Sequence, residues 1–255
     1  MVGYSEALTD PSYKSQIITL TFPLIGNYGV PDDTTEENGI KKWMESHRIW
    51  AAGLVVGEHC EAPSHWNSKM TLSKWLKKEG IPGIEGIDTR QLTKRLREHG
   101  TMLGKIVIDE TDPAKVPFVD PAKSNLVKEV STQKQITFNA NGFPKIMAVD
   151  CGLKYNQIRC LVSRGARVDV VPWDFDLAKA EHYDGLFLSN GPGDPQMCDI
   201  TIKNLKKVLN MDSKPIFGIC LGHQLIASAI GCSTYKMEYG HRGHNQPCTF
   251  LNTNR

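Results

Sequence analysis

Residues 215–224 read Pro-Ile-Phe-Gly-Ile-Cys-Leu-Gly-His-Gln, and the stretch changes character in the middle. Its first half, 215–219, is a short apolar run led by proline, the pattern of a buried strand. Its second half opens a helix over 221–230, which Gly231 ends. Working outward, the same alternation repeats upstream. Residues 185–189 (GLFLS) form an apolar run that stops at Asn190-Gly191-Pro192-Gly193-Asp194-Pro195, and 200–210 place Ile202, Leu205, Val208 and Leu209 on one helical face. Further back, 167–171 (RVDVV) read as a strand closed by Pro172, with a short helix expected over 177–182. Residues 155–164 put Ile158, Leu161 and Val162 at helical spacing, and 145–150 (KIMAVD) read as another strand. Four strands with helices between them predict a parallel sheet, with its ligand site at the carboxyl ends of the strands.

Cys220 sits at one of those carboxyl ends, on a tight strand-to-helix turn of the nucleophile-elbow kind. The helix N-terminus there supplies partial positive charge and free N–H groups, which favour thiolate and can hold an oxyanion. Gly218 and Gly222 relieve crowding at the turn. A buried structural cysteine fits the same spacing, since free Cys is among the most buried residue types. The loop at 190–195 falls at the same sheet edge, and its glycines can present N–H groups with no Cβ in the way. An ordinary Pro/Gly turn fits it as well. His223 lies one turn into the Cys220 helix, where packing or capping suits it better than acid–base work. His241 and His244 have no carboxylate or Cys near them to complete a metal site and read as part of a structural turn.

The N-terminal half is less regular. Residues 17–22 and 53–57 read as strands, 71–79 as a helix with Leu72, Trp75 and Leu76 facing inward, and Asp88 to Gln91 as a capping box opening a helix that runs to His99. This is a small mixed α/β domain over residues 1–110. Residues 111–144 are rich in Pro, Asn, Asp and Lys and read as a linker, with a short ordered piece at 125–130; residues 145–255 form the second domain.

Composition narrows the function classes. Apolar residues make up 40% and charged residues 23%, ordinary for a soluble globular protein. Thirty basic against twenty-eight acidic side chains exclude an electrostatic nucleic-acid binder as the default reading. The longest apolar stretch, 49–57, has strand length, so no membrane span is expected. The first twenty residues hold Glu6, Asp10, Pro11 and Lys14 and form neither a signal nor a transit peptide. Seven widely spaced cysteines with no CxxC pair read as free thiols in a reducing compartment, the cytoplasm.

The run GICLGHQ at 218–224, with SNGPGDP at 189–195, resembles the class I glutamine amidotransferase domain. Residues 1–4 (MVGY), 6–13 (EALTDPSY) and 24–27 (LIGN) are similar to the glutaminase subunit of carbamoyl phosphate synthetase. CGLKYNQIRC (151–160), VVPWD (170–174), YKM (235–237) and GHNQPC (243–248) look like its animal-type multifunctional pyrimidine-synthesis form. The resemblance implies a doubly wound, flavodoxin-like parallel sheet. It makes Cys220 the nucleophile on the glutamine carboxamide, with Ser12, Gly191, Gly193, Leu221 and Gln224 at the glutamine site and Gly193 and Leu221 on the oxyanion. It implies that ammonia passes to an ATP-binding synthetase subunit or domain that makes carbamoyl phosphate with bicarbonate, ATP and Mg²⁺, for pyrimidine synthesis. No cofactor, metal, nucleic acid or membrane is implied for these 255 residues. The family also carries a His-Pro-Glu motif with its general base, and β-hairpin residues ahead of the Met-x-Gly-Tyr motif. Neither occurs here, so the sequence is expected to be a fragment, inactive by itself. A non-catalytic, glutaminase-like regulatory partner is the alternative expectation.

Overall fold

A computed structural model describes residues 3–108, 112–180, 182–211, 214–238, 240 and 249–253. The first half opens with helix α1 (Tyr4–Thr9), which starts at a left-handed Gly3 without a side-chain cap. A 3₁₀ turn at Pro11–Tyr13 follows, pinned where Asp10 Oδ1 accepts the Ser12 N–H at 2.9 Å. Strands β1 (Ile17–Thr19), β2 (Leu24–Ile25), β3 (Glu36–Glu37), β4 (Ile40–Lys41), β5 (Gly53–Val55) and β6 (Glu58–His59) come next. Helix α2 (Leu72–Glu79), β7 (Gly83–Ile84) and α3 (Thr89–His99) complete this half. The strands form a three-stranded parallel sheet, β1-β5-β7, and two separate pairs, β2-β6 and β3-β4.

The caps explain where the helices sit. Thr71 accepts the Lys74 N–H ahead of α2, and Gly80, at φ 69°, ends it. Asp88 accepts the Gln91 N–H at 2.9 Å ahead of α3, as the capping pattern predicts. Helix α2 buries Leu72, Trp75 and Leu76, spaced to share one face, against Tyr4, Leu8, Ile25 and Leu54.

Residues 136–138 depart from the reading of 111–144 as linker, whereas the short ordered piece expected at 125–130 is present. Helix α4 (Leu126–Val130) is capped by Asn125, where the ordered piece is expected, and buries Leu126, Val127 and Val130. Strand β8 (Ile136–Phe138) is a true sheet member, paired antiparallel with a strand of the second half. Only Phe138 of its three residues is buried, so no apolar run betrays it.

The second half is the α/β unit that its strand runs predict. Strand β9 (Lys145–Asp150), helix α5 (Tyr155–Val162), strands β10 (Arg167–Pro172) and β11 (Gly185–Leu188), helix α6 (Asp199–Met211), strand β12 (Ile216–Gly218) and helix α7 (Leu221–Ala229) follow in order. The short helix expected over 177–182 is a 3₁₀ turn at Leu177–Lys179. The sheet order is β12-β11-β9-β10-β8, with all pairs parallel except β10 with β8. The four parallel strands therefore follow the doubly wound order 2-1-3-4 of flavodoxin-like sheets.

Alternation along the strands builds a core on each face. Met147 and Val149 of β9, with Leu186 and Leu188 of β11, pack against Val127, Leu205, Val208, Leu221 and Leu225 from α4, α6 and α7. Ala148, Val168, Val170 and Phe187 point to the other face, against Ile158 of α5 and Ile40 of the first half. Each fully buried leucine contributes about 1.5–3 kcal/mol of transfer free energy. Among the described residues no helix is long and apolar enough to cross a membrane.

Candidate active site

In a doubly wound sheet the chain reverses direction between two neighbouring strands, and a cleft opens beyond their carboxyl ends. Here those strands are β9 and β11, so the loops at 151–154 and 189–195 border the cleft, and the turn after β12 lies beside them. The two loops touch. A Cβ added to Gly152, at φ 128°, would lie 2.9 Å from Gly191 Cα, and one added to Gly191 would lie 1.9 Å from the Cys151 carbonyl oxygen. Asp150, buried at the end of β9, shapes its own loop by accepting N–H bonds from Gly152 and Leu153 at 2.9 and 2.8 Å, and from Thr132 at 2.8 Å. Burial pushes its carboxyl above the usual range, against the pull of these N–H donors.

Cys220 occupies the turn between β12 and α7 with φ 53° and ψ −108°, a left-handed conformation that costs a non-glycine residue about 1–3 kcal/mol. It stands at the N-cap of α7 and is exposed. The flanking backbone leaves no room for side chains. A Cβ on Gly218 would lie 2.5 Å from Gly222 C, and one on Gly222 would lie 2.4 Å from the Leu188 carbonyl oxygen. The Gly222 N–H bonds to the Ser189 and Ile219 carbonyls. The Leu221 N–H, as the first in the helix, has no acceptor within it. The Leu221 side chain is buried and approaches Gly191 across the cleft.

Of the residues proposed for the site, Ser12, Gly191 and Leu221 converge on this cleft. Ser12 comes from the 3₁₀ turn of the first half, and its Oγ accepts a hydrogen bond from Asn190 Nδ2 at 2.7 Å. Gly193, at φ 84°, is exposed and backs onto Leu126 of α4. Gln224 is exposed on the first turn of α7, its N–H bonded to the Cys220 carbonyl at 3.2 Å. His223 is exposed as well. His241 and His244 lie outside the described residues. Among the described residues no group of three or more His, Cys, Asp or Glu side chains could hold a metal ion.

Sequence reasoning missed four contributors. Asn190, Asp10 and Gln157 are joined by side-chain hydrogen bonds, and Lys154 Nζ lies 3.5 Å from Asp10 Oδ2. All four stood inside quoted motifs, SNGPGDP, EALTDPSY and CGLKYNQIRC, but carried no role there. Two further thiols, Cys151 and Cys198, are buried, whereas Cys220 is exposed. Burial, with Asp194 and Asp199 nearby, pushes Cys198 up to about 12, and burial raises Cys151 well above the ordinary thiol value.

The halves are joined by more than the chain. Arg159 on α5 donates to the Lys41 carbonyl at 2.9 Å and the Met44 carbonyl at 3.2 Å, and pairs with Glu45 at 3.3 Å. Glu45 Oε2 accepts the Asn156 N–H at 3.0 Å, and its carbonyl accepts the Tyr155 N–H at 2.8 Å.

Both halves of the chain have counterparts among known proteins. Residues 147–254 match the family model of the class-I glutamine amidotransferases. Residues 1–106 match that of the carbamoyl-phosphate synthase small chain, CPSase domain. The chain spans less than two thirds of the length of the curated relatives that it matches. It is 59% identical over its full length to the multifunctional protein CAD of Squalus acanthias, of which it spans 11%. It is 48% identical, over 99% of its length, to the arginine-specific carbamoyl phosphate synthase small chain of Saccharomyces cerevisiae, of which it spans 63%, and 46% identical to that yeast's multifunctional protein URA2, of which it spans 13%.

Proposed function

We propose that the chain is the glutamine-hydrolysing component of a carbamoyl phosphate synthetase serving pyrimidine synthesis. One observation carries this reading: Cys220, at positive φ on the β12–α7 turn, borders the same cleft as Gly191 and the Ser12 hydroxyl. The Cys220 thiolate attacks the carboxamide carbon of glutamine, and the developing oxyanion accepts the Gly193 and Leu221 N–H groups. The C–N bond then breaks, leaving a glutamyl thioester and ammonia, and water hydrolyses the thioester to glutamate and the free thiol. Protonating the leaving ammonia needs a general acid–base group. The resemblance assigns that task to a His-Pro-Glu motif, which these 255 residues do not contain. Ser12, Gly191 and Gln224 hold the substrate. Bicarbonate, ATP and Mg²⁺ are used by a synthetase subunit or domain that receives the ammonia, in the cytoplasm, where free thiols stay reduced.

The test is Cys220→Ser in the protein together with its synthetase. Glutamine-dependent carbamoyl phosphate synthesis should fall by about three orders of magnitude or more, while synthesis from added ammonia continues. Glutamine-dependent synthesis that survives the substitution removes Cys220 from the nucleophile role. A wild-type protein with no glutamine-dependent synthesis favours the non-catalytic partner instead.

A further inference from the structure

The Asn190 residue is 4% exposed, and its carboxamide meets polar partners from three other segments. Nδ2 lies 2.7 Å from Ser12 Oγ, 3.0 Å from the Gly152 carbonyl and 3.3 Å from Asp10 Oδ1. On its other side, Oδ1 accepts Gln157 Nε2–H at 2.8 Å. A carboxamide has two N–H donors and one acceptor oxygen, so its orientation follows from its neighbours. Turning both amides over would set Asn190 Oδ1 against the Gly152 carbonyl and the Asp10 carboxylate, two acceptors. Nδ2 therefore faces Ser12.

That orientation fixes the polarity of the Ser12 hydroxyl. Its oxygen receives the Asn190 N–H, so its own hydrogen is left to donate. Among the described residues it has no acceptor for that hydrogen. Ser12 belongs to the first half of the chain and Asn190 to the loop after β11, so the bond also sets the distance between the halves at the cleft.

We infer that Asn190 is a positioning residue, fixed by Gln157, that holds the Ser12 O–H as a donor to an acceptor oxygen of bound glutamine. Glutamine affinity thereby depends on contact between the two halves. The inference rests on the glutaminase reading above. Asn190 acts through Ser12 and takes no part in breaking the C–N bond, so its loss weakens binding and leaves the chemical step in place.

The experiment measures glutamate release against glutamine concentration, in the protein with its synthetase, for wild type, Ser12→Ala, Asn190→Ala, the Ser12→Ala/Asn190→Ala double variant and Gln157→Ala. Ser12→Ala and Asn190→Ala should each raise KM about tenfold, with kcat within about twofold, as expected for one lost hydrogen bond. The double variant should be no worse than the worse single one, because both remove the same contact. Gln157→Ala, which removes the donor to Asn190 Oδ1 and so loosens the amide without reversing it, should raise KM about threefold. If Asn190→Ala fails to fold, Gln157→Ala carries the same test. A KM unchanged in Asn190→Ala and Gln157→Ala, a fall in kcat at constant KM, or single effects that multiply in the double variant each overturn the assignment. Wild-type protein that releases no glutamate overturns the glutaminase reading along with it, whereas an active wild type with insensitive variants overturns this inference alone.

Discussion

The two halves of the chain place their functional atoms by opposite means. In the second half backbone does the placing: β9, β11 and β12 end side by side, and their loops meet so closely that Gly152, Gly191, Gly218 and Gly222 have backbone where a Cβ would be. In the first half side chains do it. Strand pairing aside, the joins that matter are the Tyr4 hydroxyl on the Gly29 carbonyl, Thr9 Oγ1 accepting the Glu45 N–H at 2.9 Å and Ser46 Oγ on the Thr9 carbonyl at 2.5 Å. A nucleophile needs a fixed direction, which a sheet edge and a helix start provide. A hydroxyl proposed to grip substrate can be lent across an interface, as Ser12 is brought to Asn190. The comparison teaches where substitution should be tolerated.

The largest expected effect sharpens this contrast. Gly222→Ala would drive a methyl into the Leu188 carbonyl at 2.4 Å, and neither α7 nor β11 can yield without parting. It should cost about 3 kcal/mol and, on the proposed glutaminase reading, abolish glutamine hydrolysis. Gly80→Ala, at φ 69° with nothing within 4 Å of the new Cβ, should cost only about 1 kcal/mol, the price of the left-handed conformation. Urea unfolding midpoints compare the two. Equal losses would mean that backbone crowding does not distinguish the halves.

The same contrast decides what could be read from sequence. Strand β9 coincides with the apolar run at 145–150, and β10 and β11 fall within a residue or two of theirs, because strands buried on both faces need unbroken apolar stretches; β12 also lies within its run at 215–219, but as an end strand with Phe217 exposed it is not the buried strand that the run predicts. The turn at Cys220 followed from that alternation. The first half hid its two-residue strands β2, β3, β4, β6 and β7, which are too short to show a period, and α1, whose Gly3 start carries no capping side chain. Strand β8 escaped because two of its three residues are exposed. Ser12 entered through a family motif. Its partner Asn190 lies 178 residues away, a separation that no local pattern encodes.

A smaller effect tests whether the halves act as one body. Arg159→Ala removes two carbonyl contacts and the Glu45 pair, leaving the Lys41 and Met44 carbonyls to find water. The expected loss is about 2 kcal/mol, the range for hydrogen bonds from a charged donor. Arg159→Lys should recover little of it, because an ammonium cannot span the same three acceptors with a planar fork. A midpoint unchanged by Arg159→Ala would show that the two halves unfold independently of this contact.

The smallest effect asks what charge adds to that contact. Glu45 is buried against α5, and burial raises its carboxyl above the usual carboxylate value despite the Asn156 N–H, Arg159 and Lys154, with Asp10 adding repulsion. A carboxyl with a raised folded value binds its proton more readily folded than unfolded. Its contribution to stability is therefore full below the unfolded value and is lost as pH rises through the folded one. At neutral pH the ionised Glu45 costs the fold, and Glu45→Gln, which keeps an acceptor for the Asn156 N–H and cannot ionise, should be the more stable protein. As pH falls through the folded value of Glu45, the gap between variant and wild type should close, and taking the difference cancels the titration of every other group. A variant less stable than wild type at neutral pH would mean that the Arg159 attraction outweighs the burial of the carboxylate, and that the halves are held by charge as well as by fit.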